Sequence, residues 1–171
     1  MNENEPRLDL TAIVSALVAH DVEFILIGGL AVQVHGNPRT TLDVDIVPNP
    51  GDKNMARLAK ALRELEATAR DVRDEPLPLD LTHPASLAVG NYLLRTKFGP
   101  LDLFNGARPD LKRYKRLEAG AIDVDLGTLA VKVIGLDDLI RMKREAGRDK
   151  DLRDIAALTE IERLRHAESH E

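Results

Sequence analysis

The segment from residue 22 to residue 47 constrains the fold more than any other part of the chain. Residues 22–27 form a short apolar run rich in β-branched side chains, which predicts a buried strand. The pair Gly28-Gly29 ends this run, and residues 30–35 predict a helix of one or two turns. Residues 41–47 then alternate polar and apolar side chains, as expected of a strand with two different faces. The segment therefore predicts a strand, a glycine turn, a short helix and a second strand in succession.

The rest of the chain adds further helices and strands. Asp9 can cap an amphipathic helix, and the apolar spacing over 54–67 predicts another. Residues 70–86 are polar and hold three of the nine prolines, so we expect an irregular loop there. The later predicted elements are a hairpin of strands at 92–98 and 101–104, a basic helix at 109–118, a strand pair at 121–126 and 129–134, and helices at 136–146 and 149–165.

The composition is that of a single globular domain over residues 1–171, with no internal repeat or linker. A chain of this length buries about 70% of its unfolded surface, and 43% hydrophobic residues exclude a disordered chain. The absence of cysteine excludes a disulfide scaffold, a thiolate metal site and a cysteine nucleophile. No apolar run reaches the roughly 20 residues that span a bilayer. Residues 1–10 also lack the features of a secretory signal, so we expect a cytoplasmic protein with no membrane partner.

Charge is distributed unevenly along the chain. The formal net charge of −5 argues against a protein that coats nucleic acid nonspecifically. Residues 95–116, however, carry seven Lys and Arg against two Asp, which gives this segment a net charge of +5. A protein that is acidic overall could therefore still bind a polyanion such as RNA at this segment.

Three Asp-x-Asp pairs occur in the sequence, where composition alone predicts about one or two. Asp43 and Asp45 lie at alternate positions of a predicted strand, so both side chains leave the same face. The other two pairs are less suitable, because one lacks a preceding glycine turn and the other lies at a helix start, where alternate residues diverge: Asp123/Asp125 and Asp149/Asp151. The context therefore favours Asp43 and Asp45 as a functional pair.

Two carboxylates on one strand face repel each other unless a cation lies between them. Mg²⁺ prefers such oxygen ligands and needs few of them from the protein. The Gly28-Gly29 turn precedes a predicted helix, where free backbone N–H groups can bind phosphate. Asp102 is a third candidate ligand because it is the one acid in an otherwise apolar predicted strand, although a solvent-exposed Asp at a strand end is the alternative. The pattern predicts a metal site beside a phosphate site.

These residues resemble the nucleotidyltransferase superfamily related to DNA polymerase beta. The matching features are the glycine turn, the Asp43-Val44-Asp45 pair and the later acid Asp102. More narrowly, residues 28–45 and 139–154 are similar to the AbiEii/MenT group of toxin-antitoxin nucleotidyltransferases. The resemblance implies an α+β protein with the minimal nucleotidyltransferase fold, in which a small mixed β-sheet is flanked by helices. Its catalytic core would lie at about 20–105, followed by a strand pair and C-terminal helices at about 108–171.

The same resemblance implies two-metal transfer of NMP from an NTP to an acceptor hydroxyl, with release of pyrophosphate. Mg²⁺ or Mn²⁺ would be bound by Asp43, Asp45 and Asp102, and Lys143 would be a further catalytic residue that contacts phosphate. The nucleotide would be bound by residues of the glycine turn and of the stretch before the metal strand: Gly28, Gly29, Arg39, Thr40 and Thr41.

The resemblance also implies an acceptor and partners. The expected acceptor is the 3′ end of tRNA, whose modification would block translation, and the expected protein partner is a cognate antitoxin. If that antitoxin is a kinase, Thr41 is its predicted target, because it lies two residues before the first metal ligand. Arg148 and Asp151 match the C-terminal motif of the group, whereas Gly29 departs from the superfamily pattern, which often has Ser at this position.

Several alternatives remain open at the level of the sequence. The acceptor could be a small molecule or a protein, or the chain could be a catalytically silent nucleotide-binding module. Arg39 could be a surface residue, and His35 could be packed at a helix end. Lys143 and Arg148 could belong to a solvated helix face.

Overall fold

The computed structural model describes residues 8–168, so residues 1–7 and 169–171 of the predicted domain lie outside the described part. The helices are α1 (Leu10–Ala19), α2 (Gly28–Val34), α3 (Asp52–Glu64), α4 (Leu111–Gly120), α5 (Leu136–Ala146) and α6 (Asp149–Glu168), with a 3-10 helix at Pro84–Ala88. The strands are β1 (Phe24–Ile27), β2 (Val44–Pro48), β3 (Thr68–Arg70), β4 (Pro76–Leu77), β5 (Asn91–Thr96), β6 (Gly99–Phe104), β7 (Ile122–Leu126) and β8 (Leu129–Val133). None of the helices described is long and apolar enough to cross a membrane.

All eight of these strands form one mixed sheet in the order β4-β3-β5-β6-β2-β1-β8-β7. Strand β2 is antiparallel to β1 and parallel to β6, and β1 is parallel to β8. The remaining pairs, β3 with β4 and β5, β5 with β6, and β7 with β8, are antiparallel. Strand β2 is therefore central and has a partner on each side, whereas β4 and β7 are the edges. The α+β fold class, with a mixed sheet flanked by helices, is confirmed.

The core lies under the central strands. Strand β1 is buried at every position, as expected of an apolar strand covered on both faces. Helix α1 begins where the Asp9 side chain accepts a hydrogen bond from the Ala12 amide at 3.0 Å, and it packs against α3, β6 and β8. Helix α2 packs against β1, β2 and α5. The largest buried side chains include Ile13, Leu17, Ile25, Leu26, Ile46, Met55, Leu58 and Leu62.

Helix α6 returns to the loop that follows α2. His35 at the end of α2 is buried, and its Nε2 lies 2.7 Å from the carbonyl oxygen of Ile134. Arg165 of α6 donates a hydrogen bond to the carbonyl oxygen of His35 at 3.1 Å. These bonds favour a packing role for His35 and join the early and late parts of the described chain.

Two predicted elements differ from the structure. The expected loop at 70–86 contains β4, because Asp71 accepts hydrogen bonds from the amides of Arg73 and Glu75 at 2.8 and 2.9 Å and so closes a turn between β3 and β4. Pro76 is tolerated there because β4 is an edge strand. The helix expected from residue 30 begins at Gly28, whose positive φ of 65° turns β1 directly into α2.

Candidate active site

Three carboxylates converge where β2 and β6 lie side by side. Asp45 on β2 is opposite Asp102 on β6 in the parallel register and opposite Ile27 in the antiparallel register with β1. Asp43 lies just before β2, so its side chain leaves the same face as that of Asp45. Each of the three acids offers an oxygen within 4.8 Å of the others. The strand register therefore unites acids that are far apart in sequence.

The surroundings of Asp45 raise its pKa. Burial, followed by the charges of Asp43 and Asp102, raises the pKa of Asp45 to about 7. A hydrogen bond from the Gly29 amide and the charge of Lys150 oppose this increase. The ionised form of Asp45 is thus poorly stabilised by the protein alone.

Asp102 has a similar environment. Burial and the charge of Asp43 raise its pKa to about 6, although Arg95 and Lys150 act in the opposite direction. Its Oδ1 is buried and has no hydrogen-bond partner among residues 8–168. A cluster of hard oxygen ligands with an unpartnered buried oxygen fits a divalent cation such as Mg²⁺ or Mn²⁺.

The glycine turn allows the backbone to approach these acids. A Cβ at position 28 would lie 1.8 Å from Asp45 Oδ2, and Gly28 has a positive φ. A Cβ at position 29 would lie 2.5 Å from Thr41 Oγ1 and 2.8 Å from Arg39 Nη2. Gly28 is therefore required by its positive φ and its close contact with Asp45, whereas a Cβ at position 29 would meet only the side chains of Thr41 and Arg39. The Gly29 amide, expected to be free for phosphate, donates to Asp45 in this structure.

The stretch before β2 lies over this turn. Thr41 Oγ1 donates a hydrogen bond to Asp43 Oδ1 at 3.0 Å, so the predicted modification site contacts a predicted metal ligand. Arg39 is partly buried, and its Nε lies 3.3 Å from Asp154 Oδ1 on α6. Thr40 is exposed and lines an open hollow of about 570 Å³ beside Arg39 and Gln33.

The C-terminal candidates belong to one ionic network, in which Lys143 and Asp151 are buried and Arg148 is exposed. Lys143 is 6% exposed, and its Nζ lies 3.3 Å from Asp151 Oδ1 and 2.7 Å from Asp154 Oδ2. Arg148 is exposed, and its Nε lies 2.6 Å from Asp151 Oδ2. The interpretation of Lys143 as a solvated surface residue is therefore wrong, because α5 and α6 cover it.

A cavity of about 160 Å³ joins the two halves of the site. Gly28 and Asp45 line one side, and Lys143, Arg148 and Asp151 line another. The remaining walls are mostly apolar and come from Ile27, Phe104, Leu139, Met142 and Ala146. Both segments predicted from the sequence, one early and one late in the chain, thus border one cavity.

The basic segment 95–116 has fewer cations available to a polyanion than its net charge indicates. Four of its cations form ion pairs: Arg95–Asp74, Lys97–Glu66, Lys115–Glu118 and Arg116–Asp138. Three of the four acids lie outside α4. Arg113 donates to the carbonyl oxygen of Phe104 at 3.2 Å. Arg108 and Lys112 are exposed and have no ion-pair partner within residues 8–168.

Comparisons of the sequence found no match among protein-family models and none among curated protein sequences. Comparison of the structure with solved structures did find similar proteins. The lincosamide antibiotic adenylyltransferase LnuA, solved with lincomycin, has a TM-score of 0.60 and 14% sequence identity, with 91% of this chain and 99% of LnuA covered. The antibiotic-resistance factor ANT(2'')-Ia, in complex with adenylyl-2''-tobramycin, has a TM-score of 0.55 and 14% identity, covering 92% of this chain and 93% of ANT(2'')-Ia.

A third similar structure is that of TM1012 from Thermotoga maritima, which is assigned as a nucleotidyltransferase. It has a TM-score of 0.54 and 13% identity, and the match covers 88% of this chain and 90% of TM1012. Each of the three matches extends over most of both chains, so the similarity concerns the whole architecture and not one motif. The protein has the nucleotidyltransferase fold.

Proposed function

We propose that this protein is a metal-dependent nucleotidyltransferase that transfers NMP from an NTP to an acceptor hydroxyl and releases pyrophosphate. The observation that carries the proposal is the cluster of Asp43, Asp45 and Asp102, with an oxygen of each within 4.8 Å of the others beside the Gly28-Gly29 turn. A binding module has no need for three mutually repelling acids with an unpartnered buried oxygen. Bound at these residues, Mg²⁺ or Mn²⁺ would neutralise phosphate charge and stabilise the leaving group.

Asp102 is the residue best suited to receive the acceptor proton. It lies beside the other two acids and, as the family resemblance implies, would favour removal of the proton from an acceptor hydroxyl. In the proposed reaction the acceptor oxygen bonds to the α-phosphorus, and the bond from that phosphorus to the pyrophosphate oxygen breaks. The hydroxyl proton passes to the Asp102 carboxylate, and pyrophosphate carries away the negative charge.

The nucleotide would lie over the glycine turn. Gly28 and Gly29 would hold the triphosphate through the backbone, with Arg39, Thr40 and Thr41 on the side of the loop. Lys143 lines the neighbouring cavity and is paired with Asp151 and Asp154. To contact phosphate as predicted, its ammonium group would have to bind the phosphate while it remains beside these two carboxylates. Arg148 lines the same cavity, and its charge interacts with those of Asp45 and Asp43. It is therefore an additional candidate for binding the phosphates.

The acceptor we propose is the 3′ end of tRNA. Support comes from the cations around the carboxylates, since Arg95 and Lys150 act on Asp102 and Arg148 acts on Asp45. Their charges favour polyanionic over cationic acceptors. Exposed Arg108 adds to this charge at the end of the basic segment. The product would be a tRNA with a blocked end, and the protein would act as the toxin of a toxin-antitoxin pair.

A small-molecule acceptor is the second candidate. It is favoured by the match with LnuA, an antibiotic adenylyltransferase whose chain is covered over 99% of its length. Both functions share the metal site and the nucleotide and differ only in what supplies the hydroxyl. The acceptor therefore has to be identified directly.

Control by an antitoxin could act on Thr41. Its hydroxyl is 3.0 Å from Asp43 Oδ1, so a phosphate on it would add about −1.5 to −2 charges beside the metal ligands. Such a phosphate would compete with the NTP for the metal. Thr41→Ala should escape a kinase antitoxin, and unchanged silencing of this variant would exclude Thr41 as the target.

The decisive experiment incubates purified protein and Mg²⁺ or Mn²⁺ with each labelled NTP and one of three acceptors: total tRNA, lincomycin or tobramycin. Label in tRNA that is absent with Asp43→Ala supports the proposal, and Asp123→Ala is the matched control because it alters an exposed Asp-x-Asp pair. Transfer of label to an antibiotic and not to tRNA would show that the acceptor is a small molecule and would overturn the tRNA proposal. Nucleotide binding without transfer to any acceptor, including the protein itself, would indicate a silent module.

A further inference from the structure

Asp154 lies between Arg39 and Lys143 in a partly buried chain of ion pairs that ends beside the candidate metal site. Its side chain is 6% exposed, with Oδ2 at 2.7 Å from Lys143 Nζ and Oδ1 at 3.3 Å from Arg39 Nε. Lys143 also pairs with Asp151, which in turn pairs with Arg148. The chain holds two acids and three bases, so its net charge is positive next to the negative carboxylate cluster.

Arg39 is the member of this chain that reaches the glycine turn. Its Nη2 would be 2.8 Å from a Cβ at position 29, so the guanidinium lies directly over the backbone of Gly29. The side chain of Gln33 donates to the Arg39 carbonyl oxygen and fixes the backbone of the loop. The Arg39 side chain is 30% exposed, which leaves part of the guanidinium open to a ligand.

Asp154 itself cannot reach a ligand over that turn. It is buried within α6, and each of its oxygens lies in an ion pair, Oδ2 with Lys143 on α5 and Oδ1 with Arg39 on the loop. Asp154 therefore has its close contacts with these two cations and not with a bound anion. Arg39 is the one that lies over Gly29.

We propose that Asp154 is a positioning residue, which holds the Arg39 guanidinium over Gly29 so that it contacts the phosphates of the nucleotide. This inference rests on the proposed function. An arginine on an exposed loop samples many rotamers, and an ion pair with a buried carboxylate selects one of them before the ligand arrives. Lys143 lies 2.7 Å from the second oxygen of Asp154, so this buried carboxylate has a cation beside each oxygen.

A purely structural role for Asp154 makes a different prediction. In that case Asp154 would serve only to join α6 to α5 through Lys143, and its loss would lower the melting temperature without regard to Arg39. In the positioning role, its effect on phosphate binding disappears once Arg39 is gone. A double-mutant cycle separates the two roles.

The test measures the Kd of inorganic tripolyphosphate with Mg²⁺ by calorimetry, because this probe contains the part common to all NTPs. The proteins are the wild type, Arg39→Ala, Asp154→Asn and the double variant. We expect each single variant to bind about tenfold more weakly, as for a charged hydrogen bond, and the double variant to match Arg39→Ala. An unchanged Kd for Asp154→Asn, or losses that multiply in the double variant, would overturn the inference.

Asp154→Glu replaces Asp154→Asn if the latter does not fold, because it keeps the charge and moves it by one methylene. We expect a smaller loss of about threefold in affinity, which again vanishes in the Arg39→Ala background. Arg39→Lys should restore only part of the binding, since an ammonium lacks the planar fork. Wild-type protein that binds no tripolyphosphate would contradict the proposed function as well, whereas binding with multiplying losses contradicts the positioning role alone.

Discussion

Two Asp-x-Asp pairs lie on strands of the same sheet and have different surroundings. Asp43 and Asp45 belong to the start of β2, a central strand, and are partly buried beside Asp102. Asp123 and Asp125 belong to β7, an edge strand, and both are exposed. The spacing of the acids is the same, so the motif alone does not create a metal site.

The difference comes from what each neighbouring strand supplies. The residue opposite Asp45 is a third acid, Asp102. Burial, followed by the charges of Asp43 and Asp102, raises the pKa of Asp45 to about 7. The residue opposite Asp123 is Lys132, whose Nζ lies 3.1 Å from Asp123 Oδ1. One pair has an unbalanced charge that a cation can satisfy, and the other is already balanced in part by the protein.

The largest effect we expect is on catalysis. Asp102→Asn should reduce NMP transfer by at least about 1,000-fold, because a metal ligand and the proton acceptor are lost together. Asp125→Asn, which alters the edge pair, should stay within about twofold of the wild type, as expected of an exposed surface residue. Transfer to the acceptor of labelled NMP measures both variants, and comparable losses would remove the distinction between the two pairs.

Metal binding should depend strongly on pH at the central pair. Asp45 and Asp102, with pKa values of about 7 and 6, must lose protons before they bind Mn²⁺, so affinity should increase with pH. We expect binding at pH 6 to be roughly 20-fold weaker than at pH 8. Calorimetric titration with Mn²⁺ tests this, and Asp125→Asn should leave the profile unchanged. A flat profile would contradict the raised pKa values of Asp45 and Asp102.

The metal-free protein should be stabilised when one central charge is removed. The pKa of Asp45 is raised on folding, so its contribution to stability is present at low pH and is lost as pH rises through about 7. At pH 8, Asp45→Asn should stabilise the apoprotein by about 2 kcal/mol after allowance for partial exposure, or roughly 4–8 °C in Tm. Thermal unfolding in a chelator measures this, and the gain should shrink at pH 4. A lower Tm for the variant at pH 8 would contradict this electrostatic account.

The smallest effect is expected at the edge pair. Lys132→Ala removes the cross-strand partner of Asp123, but both side chains are more than a third exposed. Exposed ion pairs contribute about 0–1 kcal/mol, so Tm should fall by at most roughly 4 °C and NMP transfer should not change. A clear increase in metal binding by this variant would show that the edge pair differs from the central one only through its lysine.

The sequence carried more information on the glycine turn and the three acids than on the C-terminal residues of the site. The glycine turn, Asp43 and Asp45 follow from local spacing, and Asp102 was recognisable as a lone acid in an apolar strand. The opposition of Asp45 and Asp102, in contrast, depends on parallel pairing of β2 with β6, which no local pattern specifies.

The C-terminal residues of the site were harder to interpret because they are buried by the packing of one helix on another, which no local pattern specifies. Lys143 lies in a segment rich in charge, which ordinarily indicates a solvated face, yet α5 and α6 enclose it with two acids. The spacing of Asp151 and Asp154, three positions apart, was the available signal, because it places both on one face of α6. The partner of Asp154, Arg39, could not be inferred without the fold.

The bonds around His35 have a consequence for synthesis of the chain. Its carbonyl oxygen receives a hydrogen bond from a residue 130 positions later, and its ring contacts one 99 positions later. At about 5–20 residues per second, a ribosome needs several seconds to a few tens of seconds between making the loop and making the helix that fixes it. By the later part of that interval the nascent polypeptide contains Asp43, Asp45 and Asp102 but not the helix that holds the loop beside them, so the candidate site would be completed late in translation.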